Sequence, residues 1–280
     1  MDRDGFYLVD KDIDWTSFDV CARMRKLLNI KKVGHTGTLD PFATGLLLIA
    51  TGKCTRLIPF FEKEQKTYVT TIELGKDSPT LDTESEMEDV EVKKEPTLKE
   101  IEQKMCSSFQ GEIKQMPPQF SAIKIAGKKS CDVARRGEKV DLKLRDTEIV
   151  SSKVLSYNFP EIEIEMTVRA GFYVRAFSRD LGAALGTKAI CTQLRRTHIG
   201  KLSVENAEKI DHLTAAIDPK FILTQIDHRE IPTGRVQDFI AGRSFDFAGV
   251  DKEKILVLVG GKSMGIGEMQ HGKLQPRVVL

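Results

Sequence analysis

Gly34-His35-Thr36-Gly37-Thr38-Leu39-Asp40-Pro41-Phe42-Ala43-Thr44-Gly45 packs three glycines and a proline into twelve residues around a single acid. That density of chain-breaking residues predicts an irregular loop. Glycine lets backbone approach a ligand closely, and Pro41 fixes the chain just after the acid, so Asp40 reads as an accessible carboxylate on a held loop. Local chemistry leaves a second reading open, a structural turn in which Asp40 bonds its own backbone.

Regular structure flanks this loop on both sides. Phe6 to Asp10 is a short β-branched and aromatic run that predicts a strand, and Ser17 is positioned as the N-cap of a helix carrying Val20, Met24, Leu27 and Leu28. Leu46 to Ala50 predicts a buried strand or helix turn, and Lys66 to Leu74 a strand. Thr97 and Glu100 make a capping box ahead of Ile101, Met105 and Phe109 at helical spacing. Ile162, Ile164, Met166 and Val168 alternate with polar residues as a half-buried strand, and Val174, Phe177, Leu181 and Leu185 mark a helix ending near Gly186. Strands and helices mix without a steady β-α-β rhythm, which predicts an α+β fold with a mixed, mostly antiparallel sheet. After Lys220 short strands are separated by Gly260, Gly261, Gly265 and Gly267, the pattern of a small β-barrel. The boundary falls between Thr214 and Ile231, giving a main domain over 1–220 and a second over 221–280.

Hydrophobic residues at 40% and charged residues at 30% fit a globular chain. No apolar run approaches the roughly 20 residues of a membrane span. The N-terminus opens on Asp2, Arg3 and Asp4 without a signal-peptide stretch, so a cytoplasmic protein is expected. Five dispersed cysteines and five scattered histidines offer neither a disulfide framework nor a zinc ligand set, and no metal or other cofactor is expected. Net charge is only +2, but its distribution is uneven. Asp77–Glu102 carries ten acidic and three basic residues, against six basic and two acidic over Ser121–Lys139 and seven basic and one acidic over Met166–Lys201. Two basic segments with an acidic counterweight suit a protein with one face toward a polyanion, although solvated faces would give the same pattern. The acidic stretch Asp77–Val90 is poor in apolar residues and predicts an exposed connection.

The twelve-residue loop closely resembles the catalytic loop of the TruB family of pseudouridine synthases, G-H-T-G-x-L-D-P-x-A-T-G, at every specified position. Val9-Asp10-Lys11, Lys66-Thr67-Tyr68, Gly171-Phe172-Tyr173-Val174-Arg175 and Leu194-Arg195-Arg196 resemble four further motifs of that family. The resemblance implies a pseudouridine synthase catalytic domain followed by a PUA-like barrel, acting on the T-arm uridine (position 55) of tRNA after flipping it out. It assigns Asp40 as the catalytic carboxylate, Arg175 as its ion-pair partner and Tyr68 as the ring that packs on the target base. Tyr173 would lie beneath the pocket, Leu194 would close its apolar wall, and Lys11 would support the site or a phosphate. His35 would fill the vacated space or contact neighbouring nucleotides, with a loop-stabilising hydrogen bond as the plainer alternative. Residues 115–140, with Pro117, Lys124, Lys128, Lys129 and Arg135, resemble the thumb segment that grips the T-arm, and the C-terminal domain would touch the acceptor stem. A monomer without an obligatory protein partner is expected. An RNA-guided ribosomal RNA enzyme of the same superfamily, or a tRNA-folding chaperone, is the competing reading. The chain departs from the family where Asp12 and Asp14 replace a proline and a glycine, where Cys131 stands for a common aromatic, and where Ala170 stands for a frequent lysine.

Overall fold

The computed structural model describes residues 4–61, 63–121, 124, 125, 128–130, 133, 136, 137 and 141–280, with backbone alone at Lys124, Ile125, Lys128 and Lys129. β1 (Gly5–Lys11) leads through α1 (Ser17–Leu28) to β2 (Val33–His35), the Asp40 loop and β3 (Thr44–Thr51). A 3-10 helix (Gly52–Phe61) reaches β4 (Lys66–Leu74), followed by the paired β5 (Lys76–Asp77) and β6 (Glu88–Asp89). Next come α2 (Leu98–Ser108), β7 (Gly111–Gln115) and, in the basic segment, β8 (Lys124–Ile125) paired with β9 (Lys128–Lys129). β10 (Arg145–Asn158), β11 (Glu161–Val168), α3 (Val174–Ala184), β12 (Ala189–Ile199) and β13 (Leu202–Ser203) follow. The C-terminal part holds α4 (Pro219–Ile222), β14 (Asp227–Glu230), α5 (Val236–Ile240), β15 (Phe245–Asp246), β16 (Lys252–Val259), β17 (Lys262–Gln270) and β18 (Lys273–Val279).

α2 starts where the sequence places it. The Thr97 hydroxyl accepts from the Glu100 amide while the Glu100 carboxylate accepts from the Thr97 amide. α1 starts one residue earlier than expected, because Thr16 and Asp19 form the reciprocal box and Ser17 becomes the first helical residue. Freed from capping, the Ser17 hydroxyl turns inward to the Asp40 loop.

The main sheet runs β1-β3-β12-β4-β11-β10-β7, with β2 on β3 and β13 on β12. All its ladders are antiparallel except β12 on β3, where Arg195 pairs with Thr44 and Arg196 with Gly45. β3 is buried on both faces, which explains its unbroken apolar run. Leu46 and Leu48 pack with Phe6, Leu57 and Phe61 on one side, and Leu47 and Ile49 pack with Val20 and Met24 of α1 on the other. α2 and α3 cover the β10–β11 region, where the Phe109 and Phe177 rings meet edge to face at 5.3 Å.

The C-terminal strands form a five-stranded sheet in the order β14-β16-β17-β18-β15, an open sheet where a closed barrel was expected. Closure is unnecessary because both faces are covered. Ile255 and Val257 pack with Phe239 of α5, while Leu256 and Ile266 join the Phe6–Leu46 cluster of the main sheet. No described helix is long and apolar enough to cross a membrane.

Candidate active site

A cavity of about 300 Å³ opens at the β3–β12 seam. Cross-strand pairing sets Tyr68 opposite both Met166 and Arg196, and Lys66 opposite Val168. With the period-2 alternation of strands, this brings Lys66, Tyr68, Val168, Leu194 and Arg196 to one face, and all five line the cavity. Asp40 enters from the loop before β3, and Tyr173 and Arg175 from the start of α3. Asp40 is the one carboxylate among the described lining residues.

Arg175 is 5% exposed, and a guanidinium so buried needs a partner for each donor. Its Nε donates to Asp40 Oδ2 at 2.9 Å and its Nη2 to Asp40 Oδ1 at 3.1 Å, a two-pronged pairing that fixes the carboxylate plane. The remaining donors reach the Phe120 carbonyl at 3.0 Å and the Thr80 carbonyl at 2.8 Å. Nη1 also faces Oδ2 of Asp82 at 3.2 Å, a charge contact without hydrogen-bond alignment. Burial opposes the charge of Arg175, but Asp40 and Asp82 raise its pKa.

Asp82 was hidden in the acidic stretch expected to be exposed. Its side chain is fully buried, and Oδ1 accepts from the Thr80 hydroxyl at 2.5 Å and the Glu84 amide at 2.9 Å. Burial pushes its pKa up, against the pull of Thr80, Glu84 and Arg175. The exposed part of that stretch begins after Asp82 and also includes Glu84, whose carboxylate accepts from the Phe42 amide at 3.2 Å.

Four further anchors hold the Asp40 loop. Lys11 is 1% exposed, and its ammonium donates to the carbonyls of Asp12 at 3.0 Å, Trp15 at 2.6 Å and Pro41 at 3.1 Å. It therefore braces the loop from beneath the surface. Burial lowers its pKa to about 8 even though Asp40 and Glu84 favour its charge. Ser17 accepts from the Leu39 amide at 2.8 Å and donates to the Leu39 carbonyl at 3.2 Å. Arg196, 1% exposed, donates to the carbonyls of Leu46 at 2.7 Å and Gly37 at 3.2 Å. Gly45 has φ +100°, and a Cβ there would stand 2.3 Å from the Arg196 carbonyl oxygen, so the seam requires glycine. Such over-determination is what holds a catalytic group in one geometry.

Tyr68 is half-buried and Leu194 buried, both on the wall. Tyr173 is seated by a pair of bonds between its backbone and the buried Gln115 amide at 2.9 and 3.0 Å, and burial raises its pKa. His35 closes β2 opposite Ile49 and is not on the cavity wall, which begins at Thr36. Burial, and then the charge of Arg196, lower its pKa, and its buried Nδ1 has no hydrogen-bond partner among the described residues. The side chains of Lys124, Lys128 and Lys129, and all of Arg135 and Cys131, lie outside the described residues.

The turn after Lys11 survives both substitutions. Asp14 takes the left-handed conformation that glycine favours, φ 66°, and its amide donates to the Pro41 carbonyl at 2.9 Å. Asp12 pairs with Lys209 at 2.5 Å, which answers the added charge. The signals that could have found the loop's anchors were modest: Thr16 and Asp19 at capping-box spacing would have released Ser17, and Thr80-x-Asp82 is a self-bonding turn pattern.

Two solved structures share this architecture across nearly the whole chain. An H/ACA RNP bound to a substrate RNA containing 2′-deoxyuridine matches with TM-score 0.69 and 19% identity, covering 98% of this chain and 84% of that one. A Cbf5-Nop10-Gar1 complex matches with TM-score 0.70 and 22% identity, covering 99% and 85%. At that identity they establish the pseudouridine synthase fold. The model of the TruB family pseudouridylate synthase N-terminal domain matches residues 25–174. The tRNA pseudouridine synthase B of Thermobifida fusca is 34% identical over 291 residues, covering 99% of this chain and 98% of that protein. Its namesake from Aquifex aeolicus is 35% identical over 291 residues, covering 99% of each. The chain belongs to the TruB family of pseudouridylate synthases.

Proposed function

We propose that this enzyme isomerises uridine to pseudouridine in tRNA, at position 55 of the T-arm, acting as a cytoplasmic monomer without cofactor or guide RNA. The observation that carries this reading is Asp40, the cavity's one described carboxylate, with both oxygens set by a buried arginine. A volume of about 300 Å³ sits at the small end of ligand clefts, roughly 300–1,000 Å³, and suits a single flipped nucleoside.

The chemistry needs one acid acting at the ribose and a closed space for the free base. Asp40 acts on the ribose, and the C1′–N1 bond breaks with its electron pair left on the uracil. The uracil turns within the cavity and C5 bonds to C1′. The C5 proton then leaves and N1 takes one up, so product and substrate have the same atoms. Tyr68 offers a flat face to the base, worth ~1–3 kcal/mol, and Leu194 keeps the wall beside it apolar. The basic segment 115–140 is proposed to grip the T-arm, and residues 221–280 to contact the acceptor stem.

Mapping pseudouridines in an unmodified tRNA transcript after incubation with enzyme alone tests this reading. Modification confined to the T-loop uridine is expected. Modification elsewhere, or only with added guide RNA, would overturn it.

A further inference from the structure

We propose that Arg169 binds a backbone phosphate of the RNA as the target nucleotide enters the cavity, an inference that rests on the functional reading above. Four cations line the cavity among the described residues: Lys66, Arg169, Arg175 and Arg196. Three of them are committed to the protein. Arg175 holds Asp40 and two carbonyls, Arg196 is buried against the carbonyls of Leu46 and Gly37, and the buried Lys66 donates to the Glu64 carbonyl at 2.6 Å.

Arg169 differs on each point. It is exposed, and its guanidinium has neither a hydrogen bond nor an ion pair among the described residues. Its backbone is nevertheless fixed, because its amide donates to the Glu148 carbonyl at 2.9 Å directly after β11 ends at Val168. The one carboxylate among the described lining residues, Asp40, is already answered by Arg175. An uncommitted cation on an anchored backbone at such a wall is matched to an anion brought by the ligand. A nucleotide within an RNA strand brings a base, a ribose and flanking phosphates. The base and ribose belong against Tyr68, Leu194 and Asp40, so the phosphate remains for the exposed part of the wall. A guanidinium fits phosphate oxygens in a two-pronged geometry. Ala170 leaves its own position without a cation, so the charge stands one residue earlier in the chain.

The test is steady-state pseudouridine formation on an unmodified T-arm stem-loop at several KCl concentrations, with wild type, Arg169→Ala and Arg169→Lys. We expect Arg169→Ala to raise KM roughly five- to tenfold while kcat stays within about twofold. The slope of log KM against log salt should fall by about 0.7–0.9, the value of one phosphate contact, and Arg169→Lys should keep most of it. Equal KM and equal salt slope for wild type and Arg169→Ala would overturn the inference, as would a loss of kcat with the slope unchanged. Absence of product from wild type would instead overturn the functional reading, so the two failures are distinguishable.

Discussion

Asp82→Asn removes one charge from a network in which each guanidinium nitrogen of Arg175 donates a hydrogen bond. Asparagine keeps the shape, and its carbonyl can still accept from the Thr80 hydroxyl and the Glu84 amide. Its NH2 group then faces Nη1 of Arg175 across the present 3.2 Å contact, a donor against a donor. At an effective dielectric of about 20, two unit charges at that separation attract by about 5 kcal/mol before any offset. Burial of Asp82 and its repulsion from Asp40 oppose this attraction. Losing one partner of a buried charge contact should therefore cost roughly 2–3 kcal/mol. In a chain of this size that lowers Tm by about 5–10 °C. Arg175 would recentre on its remaining partners and carry Asp40 with it, and a shift approaching 1 Å costs up to about 100-fold in rate. Thermal unfolding, single-turnover pseudouridine formation and RNA binding, measured in parallel, should show lower Tm, a rate reduced at least tenfold and unchanged affinity. A Tm within about 1 °C and a rate within about twofold of wild type would refute the reasoning.

Lys11 gives a pH prediction of definite sign. Its folded pKa of about 8 lies below the ordinary 10.5, so the unfolded chain binds more protons between those values. Stability from this group then rises with pH across the window, by on the order of 3 kcal/mol, and denaturant titrations should show Lys11→Met abolishing that rise. Gly45→Ala combines a left-handed φ with a backbone clash at 2.3 Å, so it should cost more than about 2 kcal/mol in thermal unfolding. Thr97→Ala breaks the exposed capping box of α2, which is not on the cavity wall, and should lower stability by about 1 kcal/mol while leaving the single-turnover rate unchanged.

Local rules explain which parts of the molecule were legible in the sequence. The Thr97–Glu100 box, the alternation of β11 and the apolar run of β3 each encode their element in neighbouring residues. α1 was off by one because Thr16 and Ser17 are both capable caps, and the choice lay in Asp19 three residues beyond Thr16. The stretch from Asp77 was misjudged at Ser78, Thr80 and Asp82 because composition counts charge without its partner. Asp82 is buried because Arg175 stands beside it, and the two are separated in sequence by α2 and three strands of the main sheet. The barrel was misjudged for a related reason. Whether five short strands close depends on what covers their faces, and Leu256 and Ile266 are covered by Phe6 and Leu46 from the other end of the chain. At the site, the motifs named Asp40, Arg175, Tyr68 and Leu194, and the structure brings all four to one cavity. The clamps on the loop from Arg196 and Glu84 depend on three-dimensional proximity, and the Thr16–Asp19 spacing shows only that Ser17 is free to make its own.

Pseudouridine formation in an unmodified T-arm stem-loop, wild type against Asp40→Asn, without metal or guide RNA, tests the central assignment most directly. We expect product from wild type, and none from Asp40→Asn at undiminished RNA binding. Product from Asp40→Asn at a rate near that of wild type would show that the carboxylate held by Arg175 is not the group that performs the reaction.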